Sequence, residues 1–296
     1  MNYDEFIKSN PKMLELDPTE FPFDIFVSTM TLTCKLPVLF YIKTIASKIP
    51  LSLDFVQYVS YGNNGEICRS LITQRRKRRK TNTKTKRKNF YNQVTMIIKI
   101  NNTNRISVKL FKNGSIQITG CKLISSVVWC LDKLFKILDK PIIEMDNKTG
   151  KEMKTYFVEY YMFLDIRNIY SFRIVMINTN FDIKFKINRE RLYECLRLDG
   201  YDCTYDSARY AGVIIKYANT IENETIDEQK IVGFEKSCKG KNANNKKHNK
   251  KPITSIFIFG NGSIIITGSR CYRYIIECYK FINAYLINNY KKICIT

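Results

Sequence analysis

The feature that most constrains this chain is a repeat inside it. Residues 111–121 read FKNGSIQITGC and residues 259–269 read FGNGSIIITGS, with eight of eleven positions identical at an offset of 148, half of the 296 residues. Each copy is followed by a segment whose apolar residues recur at helical spacing, 122–139 and 270–286. A weaker match places IFVSTMTLTCKL (25–36) 149 residues before IVMINTNFDIKF (174–185). Units this long are too large for a solenoid repeat and imply a tandem duplication of one α+β unit.

The repeated stretch is a β-hairpin with Asn-Gly at its tip. A two-residue loop would pair Phe111 with Ile116 and mix apolar and polar residues on both faces. A three-residue loop, Asn113-Gly114-Ser115, pairs Phe111 with Gln117 and Lys109 with Thr119, leaving Leu110, Ile116 and Ile118 on one apolar face. A register that collects the apolar set on one side is favoured, so three residues are expected. In the second copy Ile256, Ile258, Ile264 and Ile266 then turn to the core, and Phe257, Phe259, Ile265 and Thr267 turn away from it. If the helices cover the core face, a face carrying Phe111, Phe257, Phe259 and Ile265 is an apolar patch that needs a ligand or partner.

Composition narrows the classes. The chain carries 49 Lys+Arg against 27 Asp+Glu, a formal charge of +22, with 45% hydrophobic and 26% charged residues. That is a globular composition with the charge of a polyanion binder. No stretch approaches the roughly 18 apolar residues of a membrane span, and the acidic, amphipathic N-terminus does not read as a secretory signal. Ten cysteines show no CxxC and no zinc spacing, and several lie in apolar runs, so reduced structural thiols and an intracellular home are expected. The single histidine, His248, lies in a Lys/Asn-rich run.

There is no phosphate-cradling Gly-rich loop, since GSIQITGCK follows a hairpin. The carboxylates are scattered, with pairs such as Glu159/Asp165 in a tyrosine-rich segment. No enzyme, metal or cofactor is expected. Two polar segments, 75–88 with ten basic residues in fourteen and 220–252, interrupt the repeats and read as loops. The basic run suits either nonspecific DNA contact or nuclear import, which share a composition.

The ordered set of segments resembles the TATA-binding protein family. VSTMTLTCKL (27–36) is similar to its opening strand, and ISVKLFKNGSIQITGCK (106–122) to its first hairpin. FDIKFKINRERL (181–192), YDSARYAGVIIKY (205–217) and SIFIFGNGSIIITGSR (255–270) follow in the family's order. The insertions fit a divergent member of the kind encoded by large DNA viruses. The resemblance implies a saddle: a pseudo-twofold duplication with a curved antiparallel sheet, its concave face open and helices on the convex face. It divides the chain into an arm (1–20), a first repeat (21–145, basic insertion about 52–92), a connector (146–169) and a second repeat (170–296, polar insertion about 218–252).

The family binds the DNA minor groove through the concave face, with aromatic wedges that unstack base steps. It bends the duplex by roughly 80°, a magnitude that belongs to that family and not to this sequence. The resemblance implies wedges at Phe111, Phe259 and Tyr210, and places the fourth at Gln93, with Phe90 and Tyr91 close by. Ile25, Val27, Thr29, Lys109, Gln117, Thr119, Met176, Asn178, Asn180, Phe257, Ile265 and Thr267 fall on the concave face. Lys99, Lys122, Lys216 and Arg270 fall at phosphate-holding positions.

Two departures stand out. The family's paired central asparagines fall at Ile25 and Met176, which donate no side-chain hydrogen bond. The acidic pair that meets the B-type general transcription factor falls at Asp206 and Ala208, so half of that contact remains. The implied function is a transcription-initiation factor binding A·T-rich promoter duplex, with that factor and RNA polymerase machinery as partners. The alternative is a module of the same fold that binds RNA or transcription proteins. The implied place of action is a nucleus or a cytoplasmic viral factory or virion.

Overall fold

Alternation of apolar and polar residues with a period of two accounts for most of this protein, because each such run becomes a strand with one face to be buried. In the computed structural model, residues 21–62, 66–72, 91–145, 151–220 and 252–295 are described. The basic run 75–88, Phe90, His248 and most of 220–252 lie outside them. The chain forms two units, one of Thr29–Val175 and one that joins residues 21–28 to Met176–Thr296.

In the first unit six antiparallel strands lie in the order β1–β7–β6–β5–β3–β4. They are β1 (Phe26–Lys35), β3 (Val56–Tyr61), β4 (Ile67–Ser70), β5 (Gln93–Lys99), β6 (Arg105–Phe111) and β7 (Ser115–Cys121). One face, with Met30, Leu32, Val94, Met96, Val108, Leu110, Ile116 and Ile118, is buried. Helix α1 (Ile42–Lys48) packs on β3–β5, and α2 (Ile124–Leu138) on β7. The spacing of Ile124, Val127, Val128, Leu131, Leu134, Phe135 and Leu138 gives α2 a continuous apolar stripe, and Pro141 follows its end. Burying each such side chain contributes roughly 1.5–3 kcal/mol. Two short pairings, β2 (Leu39–Phe40) with β10 (Val158–Glu159) and β8 (Ile142–Met145) with β9 (Glu152–Thr155), complete the unit.

The second unit orders its strands β12–β13–β14–β15–β11. They are β11 (Tyr170–Asp182, continuing from the first unit), β12 (Cys203–Asp206), β13 (Tyr210–Ala218), β14 (Ile253–Phe259) and β15 (Ser263–Ser269). Helix α3 (Arg189–Leu198) packs on β12 and β13, and α4 (Tyr272–Asn288) on β14 and β15. The short α5 (Tyr290–Ile293) follows. Ile177, Thr179, Phe181, Val213, Ile215 and the four isoleucines 256, 258, 264 and 266 form the buried face, all but inaccessible to solvent.

Both hairpins have three-residue loops, with the apolar set on one face as expected. The register differs by one residue on each side. Lys109 pairs with Gln117 and Leu110 with Ile116, so the loop is Lys112-Asn113-Gly114. In the second copy Phe257 pairs with Ile265, and the loop is Gly260-Asn261-Gly262. The reason lies at the tip. Gly114 and Gly262 have φ of 83° and 90°, and their carbonyls accept from Leu36 N (3.0 Å) and Ile183 N (2.9 Å) on the chain leaving β1 and β11. A Cβ on Gly262 would stand 2.6 Å from Phe185 O, so only glycine fits there.

The nine described cysteines are free thiols. Burial pushes Cys34, Cys121 and Cys278 up to about 12, as expected of structural thiols. No described helix is long and apolar enough to cross a membrane.

Candidate nucleic-acid interface

In each unit the strand face opposite the helices is laid out in cross-strand rows, and strand pairing makes the rows of the two units comparable. Phe111 and Phe259 occupy the same place in the two hairpins. Around the sheet, Gln93 pairs with Phe111 as Gly212 pairs with Phe259. The opening strands correspond at an offset of 147, because Met30 faces Cys121 where Ile177 faces Ser269. The sequence match at 149 is corrected by two residues.

In the second unit the row Ile214–Phe257–Ile265–Asn180 is largely apolar, and Phe259 lies in the next row toward the tip. Tyr210 closes over them, its ring 5.7 Å from that of Phe257 and 5.9 Å from that of Phe259. Gly212 makes room for this cluster, since a Cβ there would meet the Tyr210 and Phe259 rings at 3.1 and 3.2 Å. Tyr210 is 40% exposed, so the trio forms an accessible aromatic ridge on the side without helices.

The following row is polar. Lys216 pairs with Ser255 and Ser255 with Thr267. Lys216 Nζ donates to Ser255 Oγ at 2.7 Å, and the Thr267 hydroxyl donates to Asn178 Oδ1.

The first unit repeats this layout with other chemistry. Its counterpart of the apolar row is Thr95–Lys109–Gln117–Thr33, and of the polar row Ile97–Ser107–Thr119–Thr31. Thr31 Oγ1 donates to Thr119 Oγ1 at 3.5 Å. Neither row carries an aromatic residue; Phe111 lies in the next row toward the tip, half-buried and paired with Gln93. The apolar patch expected over both halves is therefore concentrated in the second.

The structure sets most of the sequence-derived positions on the face without helices or beside it. Lys109, Gln117, Thr119, Asn178, Asn180, Phe257, Ile265 and Thr267 are half-buried on the helix-free face, and Met176 is in phase with Asn178. Val27 and Thr29 are half-buried on β1, in phase with Thr31. Lys122, Lys216 and Arg270 are exposed, the first and last just beyond β7 and β15.

Three placements need correction. Ile25 precedes β1 and is 6% exposed, so it is not a surface position. Its segment is drawn toward α4, where Tyr279 OH donates to Asp24 at 2.8 Å and the Phe21 ring lies 4.8 Å from that of Tyr272. The strand-register counterpart of Met176 in the first unit is Thr29. Gln93 is likewise not the counterpart of Tyr210. That place, two residues before the strand position beside Phe111, belongs to Tyr91, which is 49% exposed with its ring 6.4 Å from that of Tyr61. Lys99 corresponds to Ala218, one row beyond the counterpart of Lys216, and its Nζ lies 3.6 Å from Asp54. An internal comparison of YNQV (91–94) with YAGV (210–213) would have found Tyr91.

Asp206 is exposed at the β12–β13 turn. It accepts from Ala208 N at 3.0 Å and meets Arg209 at 3.2 Å, so its carboxylate stabilises its own turn. Among the described residues, no group of three or more His, Cys, Asp and Glu side chains could hold a metal ion.

No protein-family model matches the chain. A TATA-box-binding protein-like protein of Acanthamoeba polyphaga mimivirus is 34% identical over 278 residues, spanning 91% of this chain and 67% of that protein. Among solved structures, Methanococcus jannaschii TBP aligns with 88% of this chain and 95% of its own, at 12% identity and a TM-score of 0.47. The mimivirus relative carries the assignment, by identity sustained through both repeats: this chain belongs to the TATA-box-binding protein-like family.

Proposed function

We propose that this protein binds duplex DNA through the helix-free faces of its two units, enters the minor groove, and bends the duplex at promoters during transcription initiation. The observation that carries this reading is the Tyr210–Phe257–Phe259 ridge, an aromatic cluster left accessible on a sheet whose other face is fully packed. Apolar side chains that enter between base steps unstack them and kink the duplex, at a cost of a few kcal/mol per step that the added contact offsets. The formal charge of +22 supplies the phosphate term of affinity. Lys109 on the open face, and Lys122, Lys216 and Arg270 beside it, contribute to that term.

The proposed ligand is A·T-rich promoter DNA. A B-type general transcription factor meeting Asp206, and the polymerase machinery, are the proposed partners. The proposed place of action is intracellular, in a nucleus or a cytoplasmic viral factory or virion. In this reading the protein acts by binding and deforming DNA, not by catalysing a reaction. The polar rows of the first unit favour one other reading, a module of the same fold that takes RNA or a protein.

Fluorescence anisotropy with the full chain would separate the two. A·T-rich duplex DNA should outcompete single-stranded DNA and RNA of equal length, with affinity falling steeply as salt rises. Energy transfer between dyes at the duplex ends should rise on binding, reporting a bend. Preference for single strands, or duplex binding with no change in end-to-end transfer, would refute the proposal.

A further inference from the structure

We propose that the connector of the first unit, around Tyr160, Tyr161 and Met162, is a docking surface for an acidic, apolar-rich segment of another protein. The proposal goes beyond DNA binding and does not rest on it. It starts from a comparison of the two repeats. Phe40 pairs with Val158 as Ile187, at the offset of 147, bridges to Cys294. From the end of α2 at Leu138 to Val158 is 20 residues, whereas from the end of α4 at Asn288 to Cys294 is 6. The excess of 14 is the length of Ile142–Thr155, the span of the paired strands β8 and β9. That pairing is therefore an addition to the repeat, and it leaves Ile143, Met145 and Met153 more than half exposed.

The chain just beyond β10 is as open. Tyr160, Tyr161, Met162 and Phe163 are consecutive and 51, 50, 67 and 42% exposed. A run of four such side chains in water is a liability unless something covers it. The run is nonetheless held in place. Tyr160 has a φ of 62°, a left-handed conformation that a bulky residue keeps only where its surroundings impose it. Phe163 N and Leu164 N donate to the carbonyls of Tyr160 and Tyr161 at 3.0 and 2.8 Å, and the Tyr161 ring stacks on that of Tyr156 at 5.6 Å. Leu164 and Ile166, both buried, anchor the segment. Tyr41, whose N–H donates to Phe157 O at 2.9 Å, adds an exposed ring alongside.

Composition and charge indicate the occupant. Aromatic residues and Met are enriched at the cores of protein–protein interfaces, and the Met thioether adapts to different shapes. Three lysines border the patch. Lys43 follows Tyr41 by two residues, Lys154 precedes Tyr156 by two, and Lys112 O accepts from Phe40 N at 3.2 Å. All three are exposed, and none has an ion pair among the described residues. They outnumber the nearby carboxylates Glu152 and Glu159, since Asp165 is held by Arg167 at 2.8 Å. Unpaired lysines around an apolar centre favour an acidic occupant. A second copy would instead set the same lysines against each other, with +22 on each chain, and that repulsion opposes it.

The test uses a displayed library of random peptides, selected on the full chain and depleted on the same chain carrying Tyr160→Ser, Tyr161→Ser and Met162→Ser. The charge of that variant is unchanged, so depletion removes peptides held by the +22 alone. The survivors should be net negative, with Leu, Phe or Trp between carboxylates, and a labelled survivor should bind the triple variant about tenfold more weakly or worse. Met162→Glu, a single change at the most exposed residue of the run, should weaken it likewise, as should Lys43→Gln, Lys112→Gln and Lys154→Gln together. Leu198→Ser, 87% exposed in the second unit, should leave it unchanged. Circular dichroism checks the folding of each variant. An empty selection, neutral or basic survivors, or a survivor that folded Met162→Glu binds as tightly as the unmodified protein overturns the proposal. A dimer of the unmodified chain that the triple variant loses overturns it in favour of a second copy. Binding of single-stranded oligothymidylate that the triple variant loses overturns it in favour of a nucleic acid.

Discussion

Replacing Phe259 by Ala isolates the wedge from the electrostatics. The ring stands directly across from Gly212, 5.9 Å from Tyr210, and is half-buried on the helix-free face. Its removal takes away one aromatic pair, about 0.5–1.5 kcal/mol, and part of the roughly 1.5–3 kcal/mol of a fully buried Phe, and leaves the packed face of the sheet untouched, so the variant is expected to stay folded. On DNA it removes a stacking surface worth about 1–3 kcal/mol per base, or roughly 5- to 150-fold in affinity. The charge is unchanged, so the slope of log affinity against log salt should stay the same, while end-to-end energy transfer on a labelled A·T-rich duplex falls back toward the unbent value. Tyr210 and Phe257 remain 5.7 Å apart and keep part of the stacking surface. A bend unchanged from the unmodified protein would refute the wedge role. A bend abolished together with a shallower salt slope would show that Phe259 acts by positioning basic residues.

Three further outcomes follow from the same geometry. Lys122→Gln and Arg270→Gln should each shallow the salt slope by about 0.9 for every phosphate left without its cation and leave the bend unchanged, as read by anisotropy over a salt series. Gly262→Ala should cost about 2–5 kcal/mol, the left-handed backbone plus the overlap of a Cβ 2.6 Å from Phe185 O. Gly200→Ala, at φ of 81° with nothing within 4 Å, should cost only about 1–2 kcal/mol; urea midpoints that match would sink this distinction. The thiols of Cys34, Cys121 and Cys278 are raised from 9.0 to about 12. Unfolding ionises them first, so their contribution to stability is whole below pH 9 and is lost as pH rises toward 12. Denaturation midpoints measured across that range should fall, and these three should resist alkylation in the native state.

Much of the site is legible in the sequence. The eight identities between FKNGSIQITGC and FGNGSIIITGS locate both hairpins, and alternation assigns Leu110, Ile116, Ile118 and the four isoleucines to the core. The misplaced positions are displaced by an even number of residues. The sequence pattern sets Phe111 opposite Gln117 where the ladder register puts Ser115, matches the opening strands at 149 where 147 holds, and takes Gln93 where Tyr91 belongs. A pattern with a period of two is blind to such shifts, because sliding a strand by two residues keeps every side chain on its face.

The burial of Ile25 comes from contacts 255 and 251 residues away in sequence, Asp24 with Tyr279 and Phe21 with Tyr272, which no local pattern encodes. The pairing of Asn178 with Thr267 is equally out of reach, since it depends on which residues meet across β11 and β15.

By itself the sequence determined that the chain is duplicated, that each half builds an antiparallel sheet with one greasy side, and that Phe111 and Phe259 stand away from it. Those properties follow from composition and short-range periodicity, which the backbone geometry of a strand converts directly into faces. Tertiary structure alone decided the register within those faces, the gathering of Tyr210, Phe257 and Phe259 over Gly212, and the polar character of the first unit's rows. Register is settled by where the glycine tips dock and by which long-range contacts fill space, and those terms exist only once the strands have met.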